Sequence, residues 1–276
     1  MSGGGAWRAI TDQYIFSSGV NVGATVAKPG GGLDTLFMLG GPFSELSPGS
    51  MVDFQTRAGT TRSGSDLGVF WLSTDPEDFA NFPLPCTVDE FRLALFPTLA
   101  PFADQPFPGF ADQTICIAGN DVSGAPCSAC GGTRLGAETI NTYFAFSVPA
   151  VQDYFFAILR VFNRSEFVTP GNTPANSVFG PYDFTDTVVA IAIDPDLGDA
   201  GDDQIGFLPG INTMVWWDSD FEEPDFQFQP PGFGGVTYLK TPEVAGEEVG
   251  LANFTVFTNV GARPDPSSTT TAWRRT

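Results

Sequence analysis

The ten-residue segment DPDLGDAGDD, residues 194–203, contains five carboxylates and directly follows the apolar run VVAIAI. Acidic residues spaced along an extended loop direct oxygens toward one centre, and Ca²⁺ takes about six to eight oxygen ligands. The pattern therefore predicts a calcium site whose candidate ligands are Asp194, Asp196, Asp199, Asp202 and Asp203. It is not an EF-hand, because Ile205 stands where that motif has its bidentate Glu. The alternative is a solvated acidic turn whose side chains cap backbone N–H groups.

A second acidic stretch, WWDSDFEEPDF, places two tryptophans next to further carboxylates. Asp218 and Asp220 are candidate additional ligands of the metal, while Trp216 and Trp217 are candidates for stacking on a sugar ring, since aromatic faces are apolar surfaces with a polar edge. The third interpretation is a pair of core tryptophans followed by a solvated acidic loop. All three stay open on the sequence alone.

Several kinds of catalytic chemistry are missing from the sequence. The chain contains no histidine, which excludes Ser-His-Asp and Cys-His arrangements and zinc held by histidine. The Gly-rich pieces PGGGLD and CGGTRLG lack the strand-to-helix setting of a nucleotide-binding loop. We therefore expect a protein that is not an enzyme. A glycosidase that uses two carboxylates is the remaining catalytic alternative.

Four cysteines are candidates for disulfides: Cys86, Cys116, Cys127 and Cys130. An even number outside a reducing compartment favours two disulfides, and four cysteines allow three connectivities that the sequence does not distinguish. Free thiols, a four-thiolate zinc site and a redox-active CxxC are the alternatives, and CSAC lies in a Gly/Ser/Pro-rich loop rather than at a helix start.

The charge of the chain limits its partners. Its 32 acidic residues outnumber the 12 basic ones and give a formal net charge of -20, which repels nucleic acid and anionic membrane surfaces. No run of about 18 apolar residues is present, so no transmembrane segment is predicted. The start of the chain shows no signal peptide, so we expect a cytoplasmic protein or one whose numbering begins inside a longer precursor or at an added Met.

Short apolar runs separated by Gly and Pro predict the fold. Strands are expected in residues 13–27, 33–39, 50–57, 66–73, 139–149, 152–165, 182–194, 213–220, 235–243 and 251–260. They indicate an all-β, antiparallel β-sandwich of jelly-roll or Ig-like type, or two packed sandwich units. The expected division is a β-rich region over 1–138 with a long Phe/Pro/Cys loop, a sandwich with the acidic loop over 139–262, and a tail over 263–276. The Pro/Phe-rich segment near 75–138 either covers the sheet or docks another chain. Within it, a short helix is expected near 87–95 with Thr87 as its N-cap.

The segments YIFSSGVNVGATV, SVPAVQDYFF and DPDLGDAGDDQIG, together with GVTYLKTPEV and LANFTVFTN, carry a family resemblance. Their order resembles the N-terminal β module of large bacterial secreted or cell-surface proteins, many of which end in a type IX secretion sorting domain. The resemblance covers about residues 10–265. Members of that family usually have a signal peptide and a long continuation, so this chain resembles a stand-alone or trimmed module. The resemblance implies a location in the periplasm, on the cell surface or in the medium, and a structural or interaction role.

Together these features predict a non-catalytic structural or accessory subunit of an extracytoplasmic assembly, stabilised by bound calcium. The expected partners are proteins of a larger assembly, such as a cell surface, a virion or the periphery of a membrane complex. Nucleic acid is excluded as a partner. The second expectation is a carbohydrate-binding or adhesive surface module, and the third is the carboxylate-dependent glycosidase.

Overall fold

A computed structural model describes residues 5–6, 13–40, 47–48, 51, 70–122, 133–195, 197, 203–219, 233–241, 243–244 and 247–248. Strands dominate this part of the chain, and they are β1 Gly5–Ala6, β2 Gln13–Ala27, β3 Leu33–Met38, β4 Ser47–Pro48, β5 Phe70–Leu72, β6 Gln113–Asn120, β7 Ala137–Ala145, β8 Phe155–Asn163, β9 Thr185–Pro195, β10 Asp203–Leu208, β11 Thr213–Asp218, β12 Phe233–Thr237, β13 Glu243–Val244 and β14 Glu247–Glu248. Two short helices, α1 Pro76–Ala80 and α2 Glu90–Leu95, accompany four 3₁₀ turns. None of the described helices is long and apolar enough to cross a bilayer.

The strands form antiparallel sheets, so the predicted all-β sandwich class is confirmed. One sheet has the order β1-β2-β3, with β9 also paired to β2, and a second has the order β4-β6-β7-β8, with β5 paired to β6. Strands β10, β11 and β12 form a third sheet, and β13 pairs with β14. Strands β6 and β10 were not predicted, whereas the predicted strands over 50–57 and 251–260 lie outside the described residues, apart from Met51.

The chain divides into two compact units that differ from the predicted domains. The first contains Met1, Val22–Leu39 and Phe43–Thr185, and the second contains Ser2–Asn21, Gly40–Pro42 and Asp186–Thr276. The boundary expected after residue 138 falls inside β7. Strands β6 and β7 pair without interruption from Gln113↔Ala145 to Asn120↔Glu138, so both belong to one sheet.

One face of the five-stranded sheet is covered by residues 76–110. Even-numbered side chains of β6, β7 and β8 point to this face because side chains alternate along a strand. They pack in two clusters with residues of the covering segment, which include Phe82, Val88, Leu99 and Phe107. The Pro/Phe-rich segment is therefore an ordered cover for the sheet, the first of the two roles expected for it.

A disulfide fixes the cover to the sheet. Cys86, in the cover, is bonded to Cys116 on β6, and both are fully buried. This pair confirms one of the predicted disulfides, while Cys127 and Cys130 lie outside the described residues. Closing a loop of 30 residues restricts the unfolded chain, which stabilises the fold by about 3–4 kcal/mol in the chain-entropy model.

Helix α2 begins later than the sequence indicated. Its N-cap is Asp89, whose carboxylate accepts from the N–H of Arg92 at 2.9 Å, and not Thr87. Thr87 instead donates its hydroxyl to the carbonyl of Leu84, so its side chain is engaged elsewhere. The buried guanidinium of Arg92 donates to the carbonyls of Thr87 and Pro85 and lies 4.8 Å from the ring centre of Phe107. Burial is the main cause that lowers the pKa of Arg92 to about 10.

Asp121 organises the entry into β7. Its carboxylate is buried and accepts three backbone N–H groups, from Leu135 at 2.7 Å, Gly136 at 3.2 Å and Ala137 at 2.7 Å. Asn176 holds the preceding residue by bonding both the N–H and the carbonyl of Arg134. Burial raises the pKa of Asp121 to about 6 against the opposing effect of the three N–H groups and Arg134.

Replacing Asp121 with Asn should destabilise the protein. An amide has one acceptor oxygen, so the variant turns an NH₂ group toward a backbone donor, and a buried unsatisfied donor costs about 1–3 kcal/mol. We expect urea unfolding to show Asp121→Asn losing at least this amount. The matched control is Asp112→Asn, since Asp112 is exposed and accepts one backbone N–H, from Ser147. Equal midpoints for the two variants would contradict the role assigned to Asp121.

The stability gap between wild type and Asp121→Asn should also depend on pH. The folded-state pKa of about 6 lies above the ordinary value of 3.8, so the folded protein holds this proton more tightly than the unfolded chain. The corresponding stability is fully present below about pH 4 and is lost as the pH rises through about 6. The gap should widen on acidification from neutral pH to about pH 4, by about 3 kcal/mol. A gap that stays constant over this range would contradict the shifted pKa.

Candidate metal centre

The acidic loop between β9 and β10 is held by one of its own carboxylates. Asp203 accepts the backbone N–H of Leu197 at 3.0 Å, and the Leu197 side chain is fully buried. Leu197 is therefore a fixed position between β9 and β10. The capping contact is the kind expected of the acidic-turn alternative, and a carboxylate that accepts one N–H retains acceptor capacity for a cation.

Asp203 and Asp218 form the acidic pair of this region. They are directly opposite each other on β10 and β11, so their side chains point to the same face of the sheet. Opposed residues on antiparallel strands have their Cβ atoms about 4.5–5.5 Å apart, and like charges placed there destabilise the sheet. Asp218 is 0% exposed, which removes the screening that water would supply. A cation bound between the two carboxylates would offset both costs.

The other predicted ligands cannot be added to this pair. Asp194 closes β9, where only its backbone is described, and Asp196, Asp199, Asp202 and Asp220 lie outside the described residues. Among the side chains that the structure does describe, no group of three His, Cys, Asp or Glu residues is placed to hold a metal ion. The calcium site therefore stays a prediction.

The two tryptophans lie on opposite faces of β11. Trp216 is 2% exposed and shares its face with Asp218, so it presents no ring face to a ligand. Its indole lies directly over Gly234 of β12, where a Cβ would come within 2.0 Å of the ring. Trp217 points to the other face and is half-buried, with its ring beside Gly206. The two rings therefore cannot form one stacking surface for a sugar, and Trp217 is the one candidate that remains for this role.

An open recess in the first unit is lined by two carboxylates. Glu166 and Asp183 line it with Asn163, Ser165, Pro181 and Tyr182. Asn163 and Ser165 both donate to the carbonyl of Tyr182, and the Tyr182 hydroxyl donates to the carbonyl of Leu135. Glu166 and Asp183 are exposed to water, whereas a glycosidase acid is tuned by an apolar pocket. The polar side chains described in this recess bind backbone carbonyls, which is a structural role.

The comparisons with known proteins give no relative. No protein-family model, curated protein or solved structure matches the chain.

Sequence reasoning missed the residues that shape this sheet. Leu197 is the one large apolar residue within the loop, which is the signal that the loop is anchored. Gly234 and Gly235 form a GlyGly pair inside β12, and glycine within a strand marks a close approach of another group. Strand β10 contains a glycine and a single β-branched residue, Ile205, so its composition did not identify it as a strand.

Gly234→Ala should destabilise the second unit. The added methyl overlaps the Trp216 ring, and overpacking of a core costs about 1–3 kcal/mol. We expect a lower denaturation midpoint together with a red shift of tryptophan emission before global unfolding. Gly210→Ala is the matched control, because no atom lies within 4 Å of its added methyl. Equal midpoints in the two variants would show that Trp216 is not seated on Gly234.

Proposed function

We propose that the chain is a non-catalytic structural or accessory subunit of an extracytoplasmic assembly, stabilised by calcium at the acidic end of β10 and β11. The observation that carries the calcium proposal is the direct opposition of Asp203 and the fully buried Asp218 on neighbouring strands. Asp194, Asp196, Asp199, Asp202 and Asp220 complete the proposed ligand set by their spacing in the sequence.

The proposed location outside the cytoplasm is supported by the cysteine chemistry. A disulfide between Cys86 and Cys116 persists in oxidising compartments and is rare where glutathione keeps thiols reduced. The resemblance to modules of large bacterial secreted or cell-surface proteins agrees with that location. The periplasm, the cell surface and the external medium all satisfy this argument, and calcium is available in each of them.

A subunit role is supported by the combination of a rigid framework with little catalytic chemistry. Backbone-bound carboxylates and the disulfide hold the described segments, and the two carboxylates that line the described recess are exposed to water. A carbohydrate-binding or adhesive role is the second candidate, and the geometry restricts it to Trp217 on β11. The carboxylate-dependent glycosidase stays a prediction without a supporting contact.

Calcium should raise the melting temperature of the isolated protein. A ligand that binds only the folded state at about a hundred times its Kd adds about 2.7 kcal/mol, which corresponds to several degrees for a chain of this size. We expect millimolar CaCl₂ to raise Tm relative to EDTA, and Asp218→Asn to abolish that increase. The control variant Asp112→Asn changes an exposed carboxylate that is distant in sequence from the proposed ligands, and it should keep the calcium-dependent increase in Tm. The same Tm in calcium and EDTA, or an equal rise with MgCl₂, would refute the site.

The subunit role is tested by the mass of the native particle. The chain is released gently from its natural source and measured by native mass spectrometry without denaturation. We expect a complex in which this chain is present in fixed stoichiometry with other proteins. A free monomer that keeps the same mass at all concentrations would refute the subunit role, and it would leave the calcium site to be judged on Tm alone.

A further inference from the structure

The face of the β10–β12 sheet opposite the acidic pair carries two aromatic rings side by side. Trp217 and Phe233 are directly opposite each other on β11 and β12, so both rings point to the same face. Phe233 is 71% exposed and Trp217 is half-buried. We call Trp217 and Phe233 together the ring pair.

Two glycines beside the ring pair add no side chain to this face of the sheet. Gly206 of β10 and Gly235 of β12 flank Val215, and all three belong to the same face as Trp217. The Trp217 ring lies across Gly206, where a Cβ would be 3.0 Å from the indole. One side of the indole is therefore supported by backbone. No side chain rises from Gly206 or Gly235 to screen the ring pair from an incoming planar group.

The charge of this part of the chain decides which ligand the rings would attract. The stretch from Asp186 to Leu239, which contains β10, β11 and β12, has no lysine or arginine. Its acidic residues are Asp186, Asp194, Asp196, Asp199, Asp202, Asp203, Asp218, Asp220, Glu222, Glu223 and Asp225. Such a field concentrates cations and repels anions, and aromatic faces attract cations through their quadrupole.

The protein already places guanidinium groups on rings within its own fold. Arg92 lies 4.8 Å from the ring centre of Phe107, and Arg164 lies 5.0 Å from that of Phe162. The arginine group is planar and weakly hydrated, so it stacks on an aromatic face more readily than the ammonium of lysine. The ring pair presents aromatic surface of the same chemistry, since Phe233 is 71% exposed.

We propose that the ring pair is a docking site for an arginine side chain presented by a basic segment of a partner protein. This proposal names the chemistry of the partner and so rests on the proposed subunit role. The guanidinium stacks on Trp217 above the low surface beside Gly206, Phe233 closes one side, and the negative field of the surrounding chain guides the basic segment to the sheet.

The test measures binding of a short peptide with two arginines, Gly-Arg-Gly-Arg-Gly, by the change in tryptophan fluorescence. The reference peptide has citrulline in place of arginine, which keeps the planar shape and removes the charge. We expect the arginine peptide to bind and the citrulline peptide to bind at least about fivefold more weakly. Attraction to the net charge alone falls with salt and does not depend on one ring.

Substitutions in the protein separate the ring pair from the general field. Trp217→Ala and Phe233→Ala should each weaken arginine-peptide binding, Trp217→Ala by at least about fivefold. Phe233 is so exposed that its removal should leave the fold intact, which keeps the test valid if Trp217→Ala is destabilised. The control is Leu239→Ala, which removes an apolar side chain that is 76% exposed beyond the end of β12 and should not change binding.

Three results would overturn the proposal: equal binding of the two peptides, equal binding by the variants and wild type, or preferential binding of a neutral hexasaccharide that Trp217→Ala abolishes. The last result would assign the ring pair to carbohydrate instead. Native mass spectrometry keeps the two proposals distinguishable. A stoichiometric complex that survives Trp217→Ala, together with no peptide binding, removes the arginine site and leaves the subunit role intact, whereas a monomer that binds the arginine peptide does the reverse.

Discussion

Carboxylates bonded to backbone N–H groups are the interaction on which this structure depends. With 32 acidic and 12 basic residues, the chain has far more carboxylates than cations. Many carboxylates accept backbone N–H groups, which satisfies donors that lie outside the strand ladders. The described examples are Asp34, Asp75, Asp78, Asp89, Asp112, Asp121, Glu138 and Asp203. Irregular segments of a Gly- and Pro-rich chain thereby become ordered without long helices.

Each of the two units contains a carboxylate that holds an irregular segment in this way. In the first unit, Asp121 fixes residues 135–137, and the disulfide fixes the cover of the sheet, so the pieces between strands are held at both ends. In the second unit, Asp203 accepts the N–H of Leu197 and is directly opposite the buried Asp218 on the neighbouring strand. That difference is why we place the proposed calcium at Asp203 and Asp218 and not at Asp121.

The sequence was a good guide to the strands with regular patterns. Short runs bounded by Gly and Pro predicted β2 to the residue, and the apolar runs predicted β7, β8, β9 and β11 within a few positions. Strand β6 was missed because its eight residues lie within the Pro- and Gly-rich segment near 75–138, which was interpreted as a long loop. The pairing of β6 with β7 connects residues that are distant in sequence, and no local pattern reports it.

The candidate site was predicted less completely than the fold. Composition pointed to Asp203, Asp218 and the tryptophans, but not to which face of the sheet each would occupy. Facing depends on register, and a shift of one residue exchanges the two faces of a strand. Trp216 and Trp217 are adjacent in sequence and for that reason cannot share a surface, while Phe233 joins Trp217 only through pairing of β11 with β12.

Amide hydrogen exchange at Leu135 and Gly136 tests the central claim most directly. These two residues precede β7, and the N–H groups of both are bonded to the Asp121 carboxylate. If carboxylates hold the irregular segments, their amides should exchange as slowly as ladder amides in the middle of β7, such as that of Thr142. Exchange as fast as in the exposed turn over 149–153 would contradict the account, because it would show that the carboxylate contact does not order this backbone.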